Sequence, residues 1–294
     1  MEENVFLDGL SLTLFGVQQH PEAEREFISD ISILLGASDV QFRDIGAKGY
    51  PLSAVITGSF EDGLEWTVFC SYGSRNFGQH MNIEAKGLIT ERFRDCFLSM
   101  NIAWSLTRAD IAMDMVMDYD EGHRICQQYS ERRNISTSLV GDWEGKTNGR
   151  TYYIGKSRSS SESYIRFYEK GIEMAQKGFD GYPPDLVRLE LEYKPRKEKR
   201  QHIERLEASY LLSFATNPLE LFTSFVDLGI SGVRIQGTKN KDYRSSALHM
   251  VAQYTNIFRE WEEREGISSL LEIIRDVARD KPLGGSTYLG STKG

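Results

Sequence analysis

Three segments of this chain alternate in polarity with period two, and each gathers its charged side chains on one side. In Tyr164-Ile165-Arg166-Phe167-Tyr168-Glu169-Lys170, Ile165 and Phe167 face one way, and Tyr164, Arg166, Tyr168 and Lys170 face the other. In Thr107-Arg108-Ala109-Asp110-Ile111-Ala112-Met113-Asp114, the even positions put Arg108, Asp110 and Asp114 on one face. In Val187-Arg188-Leu189-Glu190-Leu191-Glu192-Tyr193-Lys194 they do the same for Arg188, Glu190, Glu192 and Lys194. Period-two alternation marks a strand buried on one side only. The expected fold is therefore α+β: a large antiparallel sheet with helices covering one face. If the three strands share that sheet, four carboxylates, several cations and a tyrosine converge on its open face.

The rest of the chain supplies further elements. A strand is expected over 6–15, a helix over 21–35, strands near 50–58, 64–71 and 80–85, and a helix over 88–100. The order then recurs: a strand at 106–117, a helix at 121–133, strands near 136–142, 151–156, 163–170 and 187–194, and a helix from about 199 to 213. This suggests two pseudo-repeats, 1–103 and 104–213, within one domain over 1–213. A helical region is expected over 214–281, with Leu270, Leu271, Ile273, Ile274 and Val277 as its apolar stripe, and a flexible Gly/Ser/Thr-rich tail over 282–294.

Composition narrows the classes. The 294 residues are 40% hydrophobic and 27% charged, ordinary for a soluble globular protein. No apolar run approaches the ~18 residues of a membrane span, and Met1-Glu2-Glu3-Asn4 has no signal-peptide character. A cytoplasmic protein with no membrane contact is expected. Cys70, Cys96 and Cys126 lack metal-ligand spacing and read as reduced thiols. The net charge of −8 argues against coating nucleic acid, but residues 146–205 carry 14 Lys+Arg against 9 Asp+Glu. One basic patch on an acidic protein can still grip a phosphate backbone.

The residues allow specific chemistry. Tyr168 can attack a phosphodiester, leaving a phosphotyrosine and a free 3′-hydroxyl with the bond energy retained. A phenol with pKa about 10 is a weak nucleophile, and Arg166, Lys170 or a metal would favour its phenolate. Carboxylates of Asp110, Asp114, Glu190 and Glu192 suit Mg²⁺ or Mn²⁺. Asp110 and Asp114, four apart on one strand, are separated by roughly 13 Å at ~3.3 Å per residue, too far for one ion without a bend. Each feature also has a plain structural meaning. Tyr168 can be a surface tyrosine of an amphipathic strand, and the charges can be cross-strand ion pairs. The turn bearing Lys156, Ser157, Arg158 and Ser159 and the run Lys194, Arg196, Lys197, Lys199 and Arg200 can contact phosphates or simply face solvent. The histidines are scattered and form no metal set.

These segments together resemble the Rep_trans family of replication initiation factors of plasmids, phages and integrative elements. Leu7-Asp8-Gly9-Leu10-Ser11-Leu12-Thr13 is similar to the family's opening strand, and Arg108-Ala109-Asp110-Ile111-Ala112-Met113-Asp114 to its Arg-x-Asp-hydrophobic-Ala-x-Asp strand. Tyr153-Ile154-Gly155-Lys156-Ser157-Arg158-Ser159 resembles its Tyr-Ile-Gly-Ser-Arg-x-Ser turn, with Lys156 as a departure. Ile165-Arg166-Phe167-Tyr168-Glu169-Lys170-Gly171 resembles the nucleophile strand, and Val187-Arg188-Leu189-Glu190-Leu191-Glu192 its Arg-x-Glu strand. The resemblance implies a rolling-circle initiator that nicks one DNA strand through a 5′-phosphotyrosyl intermediate and later religates it. Tyr168 is then the nucleophile, Arg166 and Arg188 contact the scissile phosphate, and Asp110 and Glu190, ahead of Asp114 and Glu192, hold the metal. The implied partners are an origin hairpin or single-stranded nick site, host helicase and polymerase, and a second copy of the chain. A conjugative relaxase with the same chemistry, a non-catalytic origin-binding or copy-control protein, and a structural phage or plasmid protein are the alternatives. Tyr164, on the same face as Tyr168, is the candidate second tyrosine.

Overall fold

Every one of the expected strands forms, and all pair antiparallel in one ten-stranded sheet. The computed structural model describes residues 4–15, 21–73, 80–100, 102–143, 149–156, 161–235, 238–239, 255–266, 268–269 and 272. The strands are β1 (Phe6–Phe15), β2 (Asp39–Arg43), β3 (Leu52–Ser59), β4 (Glu65–Tyr72), β5 (His80–Lys86), β6 (Trp104–Val116), β7 (Thr137–Gly141), β8 (Arg150–Ile154), β9 (Ser163–Tyr168) and β11 (Leu186–Tyr193). Their order across the sheet is β2-β3-β4-β5-β1-β6-β11-β9-β8-β7. A separate two-residue ladder joins β10 (Phe179–Asp180) to β12 (Thr238–Lys239).

That order is symmetric about the centre of the sheet. Outward from the central β1–β6 pair, each half runs through its last, third, second and first following strands in turn. The helix after the first strand is α1 (Pro21–Leu35) in one half and α3 (Tyr119–Arg132) in the other. The start of α3 is fixed by Asp118, whose carboxylate accepts from the Glu121 backbone N–H at 3.0 Å, and acidic residues fill its first turn. Together with α2 (Ile89–Ser99), α6 (Ala208–Phe214) and α7 (Thr216–Asp227), these helices cover the apolar face. Ile28, Phe93, Tyr129, Leu211 and Phe222 join the inward side chains of the sheet in one core. Each such side chain stabilises the fold by roughly 1.5–3 kcal/mol.

Three elements differ from the sequence expectations. The nucleophile strand stops at Tyr168, and Lys170 opens a short helix, α4 (Lys170–Gln176). Gly171 lets α4 lie against the loop before β11, since a Cβ there would meet the Pro183 carbonyl at 2.0 Å. The helix expected over 199–213 is two pieces, α5 (Lys197–Arg200) and α6, separated by non-helical chain that buries Ile203 and Leu206. The edge strand β2 was not expected.

The boundary expected at 213 does not divide the molecule. α7 buries Leu221, Phe222 and Phe225 in the same core, and the compact unit runs to Asn240. In the second unit, Lys241–Gly294, a helix covers Thr255–Glu265. The expected apolar stripe from Leu270 and the tail over 282–294 lie outside the described residues. Among the described residues, no helix is long and apolar enough to cross a membrane. Cys70 and Cys126 are buried free thiols and Cys96 is half-buried; burial pushes the Cys70 thiol up to about 12.

Candidate active site

The three alternating strands are immediate neighbours, so their polar faces form one surface. The register sets the rows. Tyr168, Arg188 and Asp114 lie side by side on β9, β11 and β6. The next row is Arg166, Glu190 and Ala112, and the third is Tyr164, Glu192 and Asp110. Gly9 of β1 continues the third row. A Cβ on Gly9 would lie 2.6 Å from Asp110 Oδ2, so glycine leaves the room that the Asp110 carboxylate occupies.

Tyr168 borders a cleft of about 330 Å³ together with Arg166, Glu190, Lys170, Glu173 and Asp8. Its hydroxyl donates to Glu190 Oε2 at 3.3 Å, and Arg166 pairs with Glu190 Oε1. The Lys170 ammonium lies 5.7 Å from the Tyr168 ring centroid and pairs with Glu173 at 2.9 Å. Leaving the strand has thus not taken Lys170 out of the site. Burial holds the Tyr168 phenol well above its ordinary pKa; Arg188 opposes this, and Glu190 adds to it. Burial also raises the Glu190 carboxyl, against the pull of Arg166. The Lys170 ammonium is lowered by burial and by Arg188. The protein alone therefore does not supply a standing phenolate. It supplies a phenol hydrogen-bonded to a carboxylate that burial has made a better proton acceptor.

The backbone around Tyr168 is held from both sides. Phe167 is buried between Tyr119 and Phe225, at ring-centroid distances of 5.1 and 6.0 Å. Glu169 turns inward to Arg150, accepting from its backbone N–H at 2.6 Å and from Nη2 at 2.9 Å. Arg150 also reaches Asp120 at 2.7 Å and stacks on Tyr119 at 4.1 Å. Sequence reasoning missed this clamp, since neither Arg150 nor Glu169 stands on the alternating polar face.

The other candidate residues come together as ion pairs. Arg188, itself buried, forks onto Asp114, with Nη2 at 2.9 Å, and its Nη1 reaches Asp8 at 2.9 Å. Asp8 was not singled out from the sequence. It lies where the β1–β6 register slips between Leu7 and Gly9, and that bulge aims its carboxylate at Arg188. The Asp8-Gly9 pair inside a strand was the available signal. Arg108 forks onto Asp110, both bonds at 2.7 Å, and touches Glu192 at 3.0 Å; Lys194 holds the other Glu192 oxygen at 2.6 Å.

This pairing decides the fit to a metal. All four carboxylates expected to hold Mg²⁺ or Mn²⁺ are engaged by arginine or lysine, and among the described residues no three acidic, histidine or cysteine side chains are grouped to hold an ion. As arranged, the donor set does not fit a divalent cation, and one could enter only if a guanidinium let go.

Tyr164 stacks on Tyr153 at 5.4 Å, and burial raises its phenol. It stands at the far end of the three rows from Tyr168. The expected DNA contacts divide. Lys194, Arg196, Lys197 and Arg200 line a cleft of about 800 Å³ with Arg108 on the same open face. Lys199 pairs with Glu162 at 2.8 Å, and Arg200 Nε donates to the Pro195 carbonyl at 2.8 Å. Lys156 is exposed just beyond β8, whereas Ser157, Arg158 and Ser159 lie outside the described residues.

Residues 104–215, less than half of the chain, match the family model of the replication initiation factors, Rep_trans. The match spans β6 to α6, and so contains the three rows and the tyrosine. Among solved structures, a rolling circle replication initiator protein from Geobacillus stearothermophilus is similar at 19% identity and a TM-score of 0.44, covering 68% of this chain and 76% of that one. The di-domain ARO/CYC protein StfQ of the steffimycin biosynthetic pathway aligns at 6% identity and a TM-score of 0.18, over 74% of this chain and 98% of that one. No curated protein matches.

Proposed function

We propose that this chain initiates rolling-circle replication by nicking one DNA strand at an origin, with Tyr168 as the nucleophile, and later reseals it. The observation that carries this is the Tyr168–Glu190 hydrogen bond on an open sheet face, inside the stretch that matches the replication initiation factors. Glu190 takes the phenolic proton as Tyr168 Oη attacks phosphorus. The P–O3′ bond breaks, the 3′-oxygen leaves as a hydroxyl with a proton from solvent, and the 5′-phosphate stays on Tyr168. One phosphodiester replaces another, so an incoming 3′-hydroxyl reverses the step and the proton returns to the tyrosine. Arg166 sits beside both Glu190 and the tyrosine and is the donor best placed to turn toward a phosphate oxygen. The clamp at Glu169 keeps the phenol in position, which lowers the cost of reaching an attack geometry. A host helicase and polymerase would act at the freed 3′-hydroxyl, and relaxase chemistry at a transfer origin would use the same steps.

The test is incubation with supercoiled DNA carrying the element's own origin, followed by denaturing analysis for nicked circles and covalent adducts. Wild type should give both, and Tyr168→Phe neither, with DNA binding kept. An adduct in the Phe variant would remove Tyr168 from this role. Parallel reactions with Mg²⁺, Mn²⁺ and EDTA test the expected ion; full activity in EDTA would dismiss it. The ion-paired carboxylates favour one second possibility, an origin-binding protein that does not cut. Tight binding of origin DNA with no adduct in any metal would establish that one instead.

A further inference from the structure

The cleft at Tyr168 is open at one end. Asp8 and Lys170 line both it and a neighbouring cleft of about 450 Å³, bounded by Phe6, Arg188 and Arg234. Phe60, Leu64, Leu88 and Phe179 in turn line that cleft and a third, of about 510 Å³, which ends on Phe69, Lys48 and Lys86. The three form one trough across the open face. From β9 to β4 the sheet advances five strand positions, or about 24 Å at ~4.8 Å per strand.

The chemistry changes along the trough. Beside Tyr168 it is lined by ion pairs, Lys170 with Glu173, Arg188 with Asp114 and Asp8, and Arg234 with Glu91; Arg188 and Arg234 both lie over the Phe6 ring, at 5.2 and 4.9 Å. Beyond Asp8 it becomes aromatic and aliphatic. Phe69 is 50% exposed in mid-strand, and Leu88 51% exposed before α2, although the inward neighbours of Phe69, Val68 and Cys70, are fully buried. Nothing in the nicking step uses these apolar side chains, and nothing in the core requires them on this face.

We propose that the trough binds the single-stranded flank on one side of the nick, its bases stacking on Phe69, Phe179 and their neighbours and its phosphates meeting the cations near Tyr168. This rests on the nicking chemistry proposed above and adds a path for the strand. Continuity and apolar surface point to this occupant. The trough begins at the attacked phosphate, so its occupant must be the same polymer. Ion-paired cations stand where the backbone must turn toward the tyrosine, so a phosphate there would compete with their carboxylates, and flat apolar surface stands where bases can lie. Only an unpaired strand exposes base faces, and base–aromatic stacking tolerates any sequence.

The test uses a fluorescein-labelled oligothymidylate and the full chain. By anisotropy, Phe69→Ala and Phe179→Ala should each weaken binding by about five- to a hundredfold, with unchanged thermal melts. Val140→Ser, an equally exposed apolar position on β7 away from the trough, should bind as wild type. Oligothymidylates carrying 5-iodouracil should photo-cross-link to peptides containing Phe69 or Phe179. Unchanged affinity in the Phe69→Ala/Phe179→Ala double variant, or cross-links confined to other peptides, would overturn the proposal. Failure of the nicking chemistry is a separate result: no adduct with wild type at its origin, whatever the anisotropy and cross-links give.

Discussion

Removing Arg188 should cost far more than removing an ordinary surface ion pair. The Arg188 side chain is 7% exposed and that of Asp114 3%. Two donors of the guanidinium go to Asp114 and a third to Asp8. An exposed pair contributes ~0–1 kcal/mol, whereas deleting one partner of a buried pair leaves an uncompensated charge and costs about 3–5 kcal/mol. Arg188→Met keeps most of the aliphatic stem, so the lost packing is small. Asp8, 28% exposed, can turn to water; Asp114 cannot. The expected loss is therefore at the full buried-pair level and arises from Asp114. The double variant Arg188→Met/Asp114→Leu removes both charges and should recover most of it, because an apolar replacement of a buried pair is often neutral. Urea denaturation at constant slope measures both. A single variant within about 1 kcal/mol of wild type, or a double variant no more stable than the single, would refute the reasoning. The double variant also separates the two roles of Arg188. If the arginine contacts the scissile phosphate as well, nicking stays lost although stability returns.

If Glu190 takes the proton as proposed, Glu190→Gln should slow nicking by about 10²–10⁴-fold with DNA affinity kept; unchanged rates in single-turnover assays would exclude the role. Because burial raises the Glu190 carboxyl, wild-type nicking should fall on acidification at a pH above the usual carboxylate range, and this limb should vanish in the variant. Glu84 gives a stability test. Burial pushes it up, but Lys48 and Lys86 outweigh burial and bring it down to about 2. A depressed carboxyl stabilises above its unfolded pKa and loses that contribution as pH falls through the folded one, so Glu84→Gln should lose about 1–2 kcal/mol at pH 7, discounted for partial exposure. That difference should fade between about pH 5 and pH 2 in denaturation series. Neutralising Arg196, Lys197, Lys199 and Arg200 together should weaken DNA binding and flatten its salt dependence; an unchanged slope would mean the run only faces solvent.

What was legible in the sequence was what depends on near neighbours alone. The faces of β6, β9 and β11 follow from period two, and the bounds of α1 follow from the spacing of Ile28, Ile31 and Leu35. The roughly 13 Å between Asp110 and Asp114 on one strand face already said that they could not hold one ion, and each has its own arginine. Partner choice was not legible, because it depends on register. One residue of slip, at Asp8, brings a second carboxylate to Arg188. The exit of the chain after Tyr168 was hidden because Lys170 continues the polar alternation, although it opens α4 with Gly171 close against Pro183. Strand β2, Asp-Val-Gln-Phe-Arg, is an edge strand with most of its length exposed, so it needed no alternation to form. The break between α5 and α6 carries no proline or glycine, and Ile203 and Leu206 keep helical spacing while packing as coil.

The two halves of the sheet match in strand order and differ in chemistry. Counting outward from the centre, β4 stands where β9 stands and β5 where β11 stands. On the open face β9 carries Tyr164, Arg166 and Tyr168, and β4 carries Thr67, Phe69 and Ser71. β11 carries Arg188, Glu190 and Glu192, and β5 carries Asn82, Glu84 and Lys86. One half thus has a phenol, a carboxylate bonded to it and paired guanidiniums, and the other has exposed aromatic surface with a lysine–glutamate–lysine chain. A strand transfer of the proposed kind attacks one phosphate but must keep hold of a length of polymer until the ends are rejoined. An undivided antiparallel sheet suits that demand, because its central β1–β6 pairing makes the polar rows and the apolar shelf parts of one surface. In the proposed transfer, two polar halves would leave the strand no apolar shelf to rest on, and two apolar halves would leave it no nucleophile.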